Sequence, residues 1–555
     1  MSEQITITVA GAGETTIPKG TTLLELSKSY SHLKKWPILV ATVDNELQDL
    51  SRQLLFDSTV KFLDVSDPNG FRAYQRSVSF LMVYAAKTIL GKEARVVISH
   101  SINKNYYCEL PEHPEPITEE LLDKIEDEMH ANVKRDQQIR KVTHPKELAI
   151  KLAREFGLYD KERLLKYRHN LTVSLYKMCW FYNYFYGEMA PSTGVLNLFK
   201  LVKHSKGFML QFPDASQGYE LADLLPRHKV SEVFEEAAES ARIINADTVG
   251  ALNDILCRHG SGMIIRVAEA FHEKKTALLA DRIVNEKRPI VLIAGPTSSG
   301  KTTFAARLST QLRAAGVIPH VIGLDNYYHD RGDGRIPRDE HGNEDYETLV
   351  AIDTAQITKD LQALLKGQRV EIPTFNFITG KREYKGRFLE LAKGDVLILE
   401  GIHGLNELIS AGVPPEQKFK IFISALTQIN IDDHNRIPTT DTRLVRRIVR
   451  DFQSRGTSAV DTIDRWPSVL RGEAKYIYPH QEEADAFFNS ALIYEMCVLK
   501  QYAEPLLFNI TPNMPQYTEA RRLIKFLSSF LCMPSENIPA NSILREFVGG
   551  SCFSH

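Results

Sequence analysis

The stretch "VLIAGPTSSGKTTF", Val291–Phe304, decides the reading of this chain. An apolar run enters a loop bracketed by two glycines, and a helix-forming sequence, "KTTFAARLSTQLRAA", leaves it. The loop fits the spacing G-x-x-x-x-G-K-[ST], with Gly295, Gly300, Lys301 and Thr302 at the fixed positions. Glycines let successive backbone N–H groups turn inward onto phosphate oxygens, and the following helix adds the positive end of its dipole. The lysine can then reach the β and γ phosphates while the Thr302 hydroxyl is placed for Mg²⁺. The run Gly295, Pro296, Thr297, Ser298, Ser299, Gly300, Lys301, Thr302 and Thr303 is therefore the expected ATP site.

Outward from the loop, apolar strands alternate with helical segments: "PIVLIAG", "HVIGLD", "VLILEG" and "FKIFISA". That alternation predicts a parallel sheet with helices on both faces. Ligands of such sheets bind beyond the carboxyl ends of the strands. Two carboxylates stand there. Glu400 closes "VLILE" and is the expected metal partner of Thr302. Asp325 closes "HVIGLD" and can either take the proton of an attacking hydroxyl or bind the metal through water. A third element is "DTRLVRRIVRDFQSRG", in which Arg443, Arg446, Arg447 and Arg450 fall three and four apart, with Arg455 beyond. Beside a triphosphate site, such a row is expected to close over developing negative charge.

Taken together, residues Lys287 to Leu507 resemble the uridine kinase and phosphoribulokinase family of phosphate-loop kinases. "GPTSSGKTTF", "LDNYY", "NEDYE", "IPTFNF", "EGIHGL" and the arginine row carry the likeness, in the family's order. The resemblance implies transfer of the ATP γ-phosphate to a nucleoside 5′-hydroxyl. It implies Asp325 as catalytic base beside Lys301, with Thr302 and Glu400 serving Mg²⁺. Asp345 would hold ribose hydroxyls, and Arg447, Arg450 and Arg455 would belong to a mobile lid. Tyr328, Phe375, Phe377, Arg447 and Arg465 would face the acceptor. Departures from the family gather on the acceptor side. Gly380 stands where uridine kinases carry a base-reading histidine, Phe375 replaces a tyrosine, Thr457 an arginine and Arg465 a glutamine. An unpaired buried polar group costs about 1–3 kcal/mol, so these changes are expected to move specificity rather than abolish transfer. The alternative reading is a nucleotide-gated RNA-binding or scaffold protein without a small-molecule acceptor.

The whole chain frames this domain. Its 555 residues exceed one hydrophobic core. Lys plus Arg number 68 against 70 for Asp plus Glu, so no global positive field recruits nucleic acid. Six scattered cysteines without a C-x-x-C pair read as reduced thiols, which points to the cytoplasm. No long uncharged apolar run suggests a membrane span. The expected organisation is α/β multidomain: a small β-grasp module at 1–66, an α+β domain at 67–227, a helical connector at 228–286, the kinase domain at 287–510, and a C-terminal helix and tail at 511–555. The last 40 or so residues show no clear periodicity.

The front half carries a second resemblance. Residues 4–65, with "VDNELQDLSRQL", resemble the TGS module of threonyl-tRNA synthetases. "YQRSVSFLM" and "GEMAPSTGVLNLFKL" extend the likeness into their editing domain. Where that domain has two histidines, a cysteine and a further histidine, this chain has Arg76, Phe80, Phe185 and Met189. Neither zinc nor hydrolytic editing is therefore expected. RNA binding is not the favoured role, and the half is left open between small-molecule regulation and subunit contact in a homo-oligomer. The aromatic run Phe181, Tyr182, Tyr184, Phe185 and Tyr186 is expected to pack in a core or a domain interface. The tail "IPANSILREFVGGSCFSH" is a candidate to dock on the kinase domain.

Overall fold

Every residue of the strand β1 (Ile290–Ala294) is buried, as a strand covered on both faces by helices must be. The computed structural model, which describes residues 3–224, 228–338, 342 and 344–553, places β1 at the centre of a five-stranded sheet. Its neighbours are β2 (Pro319–Gly323), β3 (Val396–Glu400), β4 (Lys418–Ser424) and β5 (Ala486–Asn489), in the spatial order β2-β3-β1-β4-β5. All pairings are parallel. The expected α/β architecture is present. β5 was not among the expected strands, because "AFFN" is too short to show a period. Asn343 of "NEDYE" and the expected boundary at 227 lie outside the described residues.

Helix α1 (Lys301–Ala314) follows the loop. The arginine row lies on α2 (Thr439–Arg455), followed by α3 (Ala459–Tyr476), α4 (Glu495–Phe508), α5 (Tyr517–Leu527) and the short α6 (Arg545–Val548). The helices His228–Ile244, Val249–His259 and Gly262–Asn285, expected as a connector, do more than connect. Ala241, Leu252, Ile264 and Leu279 share one apolar core with β1, α1 and α2. The helix expected within 511–555 is present, and its apolar residues show the periodicity that the sequence reading did not find. In α5, Ala520, Leu523, Phe526 and Leu527 recur at helical spacing and are buried. Ile543, Leu544 and Phe547 are fully buried in the same core.

The first module is a five-stranded sheet in which Gln4–Val9 and Ser58–Leu63 pair in parallel at the centre. Its helix, Leu23–Ser29, starts at Thr22, whose hydroxyl accepts from the Glu25 N–H while Glu25 reaches back to the Thr22 N–H. The next region sets the helix Pro68–Leu90 beside a four-stranded antiparallel sheet. The aromatic run splits between two cores, as its packing reading required. Phe181 and Phe185 join the core of the front half, while Tyr184 and Tyr186 join the core that holds the kinase sheet.

A loop just before α2 ties the halves together. Lys161 is fully buried against Asp432. Arg95 grips Asp433 with two hydrogen bonds of 2.8 and 3.1 Å, and Asn435 donates to the Tyr184 carbonyl at 3.0 Å.

Candidate active site

The loop after β1 has the backbone its sequence demands. Ser298 and Gly300 both adopt left-handed conformations, with φ of 58° and 85°. Gly300 is doubly constrained, because a Cβ there would stand 2.6 Å from Ile543 Cγ2 of the C-terminal segment. The hydroxyls of Ser298 and Ser299 are buried without a hydrogen-bond partner. Buried polar groups are ordinarily paired, so two orphaned donors at the start of α1 suit the oxygens of a phosphate chain. Lys301 Nζ donates to the Pro296 carbonyl at 3.2 Å. Thr302 is exposed to the cleft and its hydroxyl donates to Glu400 Oε1 at 3.1 Å.

Three adjacent strands deliver the charged centre: Lys301 follows β1, Glu400 ends β3, and Asp325 lies one residue beyond Leu324 in a 3-10 turn after β2. Burial pushes the Glu400 carboxyl up to about 7, and the neighbouring Asp325 charge adds to that. Asp325 is likewise raised by burial, against the pull of Lys301, Arg455 and Arg450. The Lys301 ammonium is pulled down by burial although Glu400, Asp325 and Glu546 oppose the shift. Two carboxylates and a hydroxyl form an oxygen donor set of the kind a hard divalent cation takes. Thr302, Glu400 and Asp325 thus fit the metal assigned to them.

The arginine row divides into two groups. Arg443 and Arg446 are fully buried and do not face the cleft, which corrects the expectation that the whole row closes over substrate. Arg443 pairs with Glu473 and donates to the Thr297 carbonyl at 3.1 Å. Arg446 pairs with Glu495 and donates to the Ser298 carbonyl at 3.3 Å. Both brace the phosphate loop from behind. Arg447, Arg450 and Arg455 instead share Asp451, at 3.2, 2.7 and 3.7 Å. Burial would raise the Asp451 carboxyl, but these three cations hold it below its ordinary value. Arg447 Nη1 is buried without a partner.

On the acceptor side Phe375 packs against Tyr328 and Phe377, with ring centroids 5.7 and 5.2 Å apart, and the Arg455 guanidinium lies 5.6 Å from the Phe377 ring. Tyr328 donates to the Tyr346 carbonyl at 3.3 Å, which brings the "NEDYE" segment to the site. Asp345 accepts from the Glu347 N–H at 3.0 Å. Arg465 does not join this group. It is exposed on α3, while the next residue, Trp466, is buried beneath the guanidinium of Arg443 at 5.3 Å. Successive helical residues point about 100° apart, so the side of α3 that meets the arginines excludes Arg465.

Sequence reasoning missed two groups. Glu347 is pushed up to about 7, first by burial and then by Glu473, against the pull of Arg447. Its place in "NEDYE", two residues from Asp345, was the available signal. Glu546 accepts from the Thr303 hydroxyl at 2.8 Å, across 243 residues of sequence, and lies in the tail singled out as a candidate to dock on the kinase domain.

Comparison with known proteins agrees with this geometry. Residues 290–493 match the Phosphoribulokinase / Uridine kinase family. A uridine kinase of Halobacterium salinarum is 30% identical over 195 residues, covering 35% of this chain and 76% of that protein. The chain belongs to this family. A uridine kinase of Halalkalibacterium halodurans is 29% identical over 206 residues, 36% of this chain and 85% of the relative. The front region of this phosphoribulokinase / uridine kinase family member is similar to another protein, a threonine–tRNA ligase of Acetivibrio thermocellus. That match is 31% identical over 185 residues, 33% of this chain and 29% of the ligase. Among solved structures, a possible uridine kinase from Bacillus stearothermophilus matches at 20% identity and a TM-score of 0.27, over 39% of this chain and 98% of that one. A likeness at that score adds no argument. The family match makes the C-terminal region a phosphate-loop kinase, fused to a front half akin to part of a tRNA ligase. No helix among the described residues is long and apolar enough to cross a membrane.

Proposed function

We propose that the chain transfers the γ-phosphate of ATP to the 5′-hydroxyl of a nucleoside-like alcohol. The observation that carries this reading is the convergence of Lys301, Glu400, Asp325 and the Arg450–Arg455 end of α2 on one sheet edge. The main-chain amides of 295–302, with the Ser298 and Ser299 hydroxyls, hold the phosphate chain. Thr302, Glu400 and Asp325 would hold Mg²⁺, which would screen the charge between the β and γ phosphates. Asp325 accepts the proton of the acceptor hydroxyl as its oxygen bonds to the γ phosphorus. The bond from that phosphorus to the bridging oxygen breaks, and ADP leaves. Lys301, Arg447, Arg450 and Arg455 neutralise the oxygens that gain charge. Tyr328, Phe375 and Phe377 provide an aromatic wall for a planar base, and Asp345 suits ribose hydroxyls. The altered Gly380 and Phe375 positions support a nucleoside other than uridine. The test is phosphate transfer from labelled ATP across a panel of nucleosides and other ribose-bearing alcohols. Turnover on one nucleoside is expected, and acceptor-independent hydrolysis alone would refute the proposal.

A further inference from the structure

A cavity of about 640 Å³ lies where the front half meets helix α5, between the strand Thr172–Met178, the segment 184–188 and α5 itself. Its basic lining is Arg76, Lys141, Arg168, Arg521, Arg522 and Lys525, against the carboxylates of Glu46 and Glu188. Two of these cations are already matched. Lys141 is bonded to Glu188 Oε2 at 2.7 Å, and the Tyr176 hydroxyl donates to the same oxygen at 2.9 Å. Arg522 is paired with Asp441 and Glu519. Glu46 is an exposed rim residue.

Four cations remain, none of them in a salt bridge among the described residues. Arg76 donates to the Glu188 carbonyl at 2.6 Å and lies 5.8 Å from the Tyr186 ring. Its guanidinium occupies space that any other residue at 187 would take, because a Cβ on Gly187 would stand 2.1 Å from Arg76 Cζ. Arg168 donates to the Ser528 and Ser529 hydroxyls at 2.6 and 3.2 Å. Arg521 lies 6.0 Å from the Tyr517 ring, and the exposed lining residue Lys525 has no side-chain partner among the described residues. Desolvation, with repulsion from Lys141, Arg76 and Arg168, pulls the Lys525 ammonium down to about 8 although Glu188 opposes it. Like charges held this closely cost free energy unless something negative lies among them.

We propose that this cavity binds a phosphorylated small molecule, its phosphate held between Arg76, Arg168 and Lys525. Guanidinium groups present paired donors that match phosphate oxygens, and the volume exceeds that of a phosphate alone. The charges line one concavity. A nucleic-acid backbone would instead need them spread along a surface track. The site is distinct from the phosphate loop, since none of residues 295–302 lines it.

Calorimetric titration of the full-length Lys301→Ala chain with inorganic pyrophosphate and with a mononucleotide tests the proposal. Saturable binding of both is expected, weakened at least tenfold by Arg76→Gln or by Lys525→Gln and partly restored by Arg76→Lys. The rim variant Lys525→Gln serves where Arg76→Gln lowers the melting midpoint. Absence of saturable binding overturns the proposal, as does affinity unchanged by both cavity variants. A short RNA oligonucleotide that binds more than tenfold tighter than the mononucleotide, and loses that advantage in Lys525→Gln, overturns it in favour of nucleic acid.

Discussion

The two halves of this chain treat enclosed arginine in different ways: Arg443 and Arg446 are fully buried, Arg76 and Arg168 half-buried. In the kinase half each buried guanidinium has its own carboxylate, Glu473 for Arg443 and Glu495 for Arg446, and the three cleft arginines share Asp451. In the front half, Arg76 and Arg168 have only carbonyl and hydroxyl acceptors. Matched charges fix a loop in place before any substrate arrives. Unmatched ones store a demand for an anion, so the first arrangement suits a catalyst and the second a receptor.

The largest effect expected is on the chemistry of the matched half. Asp325→Asn should lower kcat/KM by about 10³–10⁴-fold, roughly 4–5 kcal/mol, with the melting midpoint little changed. In the wild type, activity should also fall on acidification, with an apparent pKa above the ordinary 3.8 of an aspartate, because burial raises Asp325. A pH profile that stays flat down to that value would remove Asp325 from the role of base.

Next comes the bracing pair itself. Arg443→Met leaves Glu473 buried without its cation, a change that costs about 3–4 kcal/mol, readable by urea denaturation. If the cost is below about 1 kcal/mol, the distinction between the halves loses its energetic content. A smaller loss, about 2 kcal/mol, is expected for Gly300→Ala, which forces a side chain into a left-handed backbone and onto Ile543. Nucleotide affinity should fall with it, as measured by fluorescent ATP analogue titration.

The smallest expected effect concerns Glu347, whose carboxyl is raised from 4.5 to about 7. Below 4.5 it is protonated in both folded and unfolded chains and contributes no pH dependence. Between 4.5 and about 7 the folded chain binds the proton more tightly, so stability falls as pH rises through that window. Glu347→Gln should therefore flatten the fall and stabilise the protein by about 1–2 kcal/mol at neutral pH, after allowance for partial exposure. Thermal midpoints across that window supply the check.

The phosphate loop was legible because its information is local: an apolar strand, two glycines, a lysine and a helix within one short stretch. Glu400 and Asp325 were legible as the acids that close apolar runs, and a parallel sheet collects such ends at one edge. The division of the arginine row was not. Arg443 and Arg447 are one turn apart and have the same local signature; only the positions of Glu473 and Glu495, on later helices, separate brace from cleft. Arg465 failed for a related reason, since one residue along α3 exchanges a buried face for solvent. In the front half, Arg76, Phe80, Phe185 and Met189 could be placed only through the resemblance. The four positions do converge, with Phe80 and Phe185 edge to face at 5.9 Å, but the cavity beside them needed α5, which lies more than 400 residues from Arg76.

The loop before α2 decides how this protein can be dissected. Asp432 is wholly enclosed, and its ammonium partner Lys161 belongs to the other half. A recombinant piece beginning near Lys287 would remove the ammonium partner of that carboxylate, lose the grip of Arg95 on Asp433, and bare the apolar surface that Tyr184 and Tyr186 cover. Such truncations should come out of cells insoluble. A cut between the two halves is therefore expected to cost the kinase half its solubility.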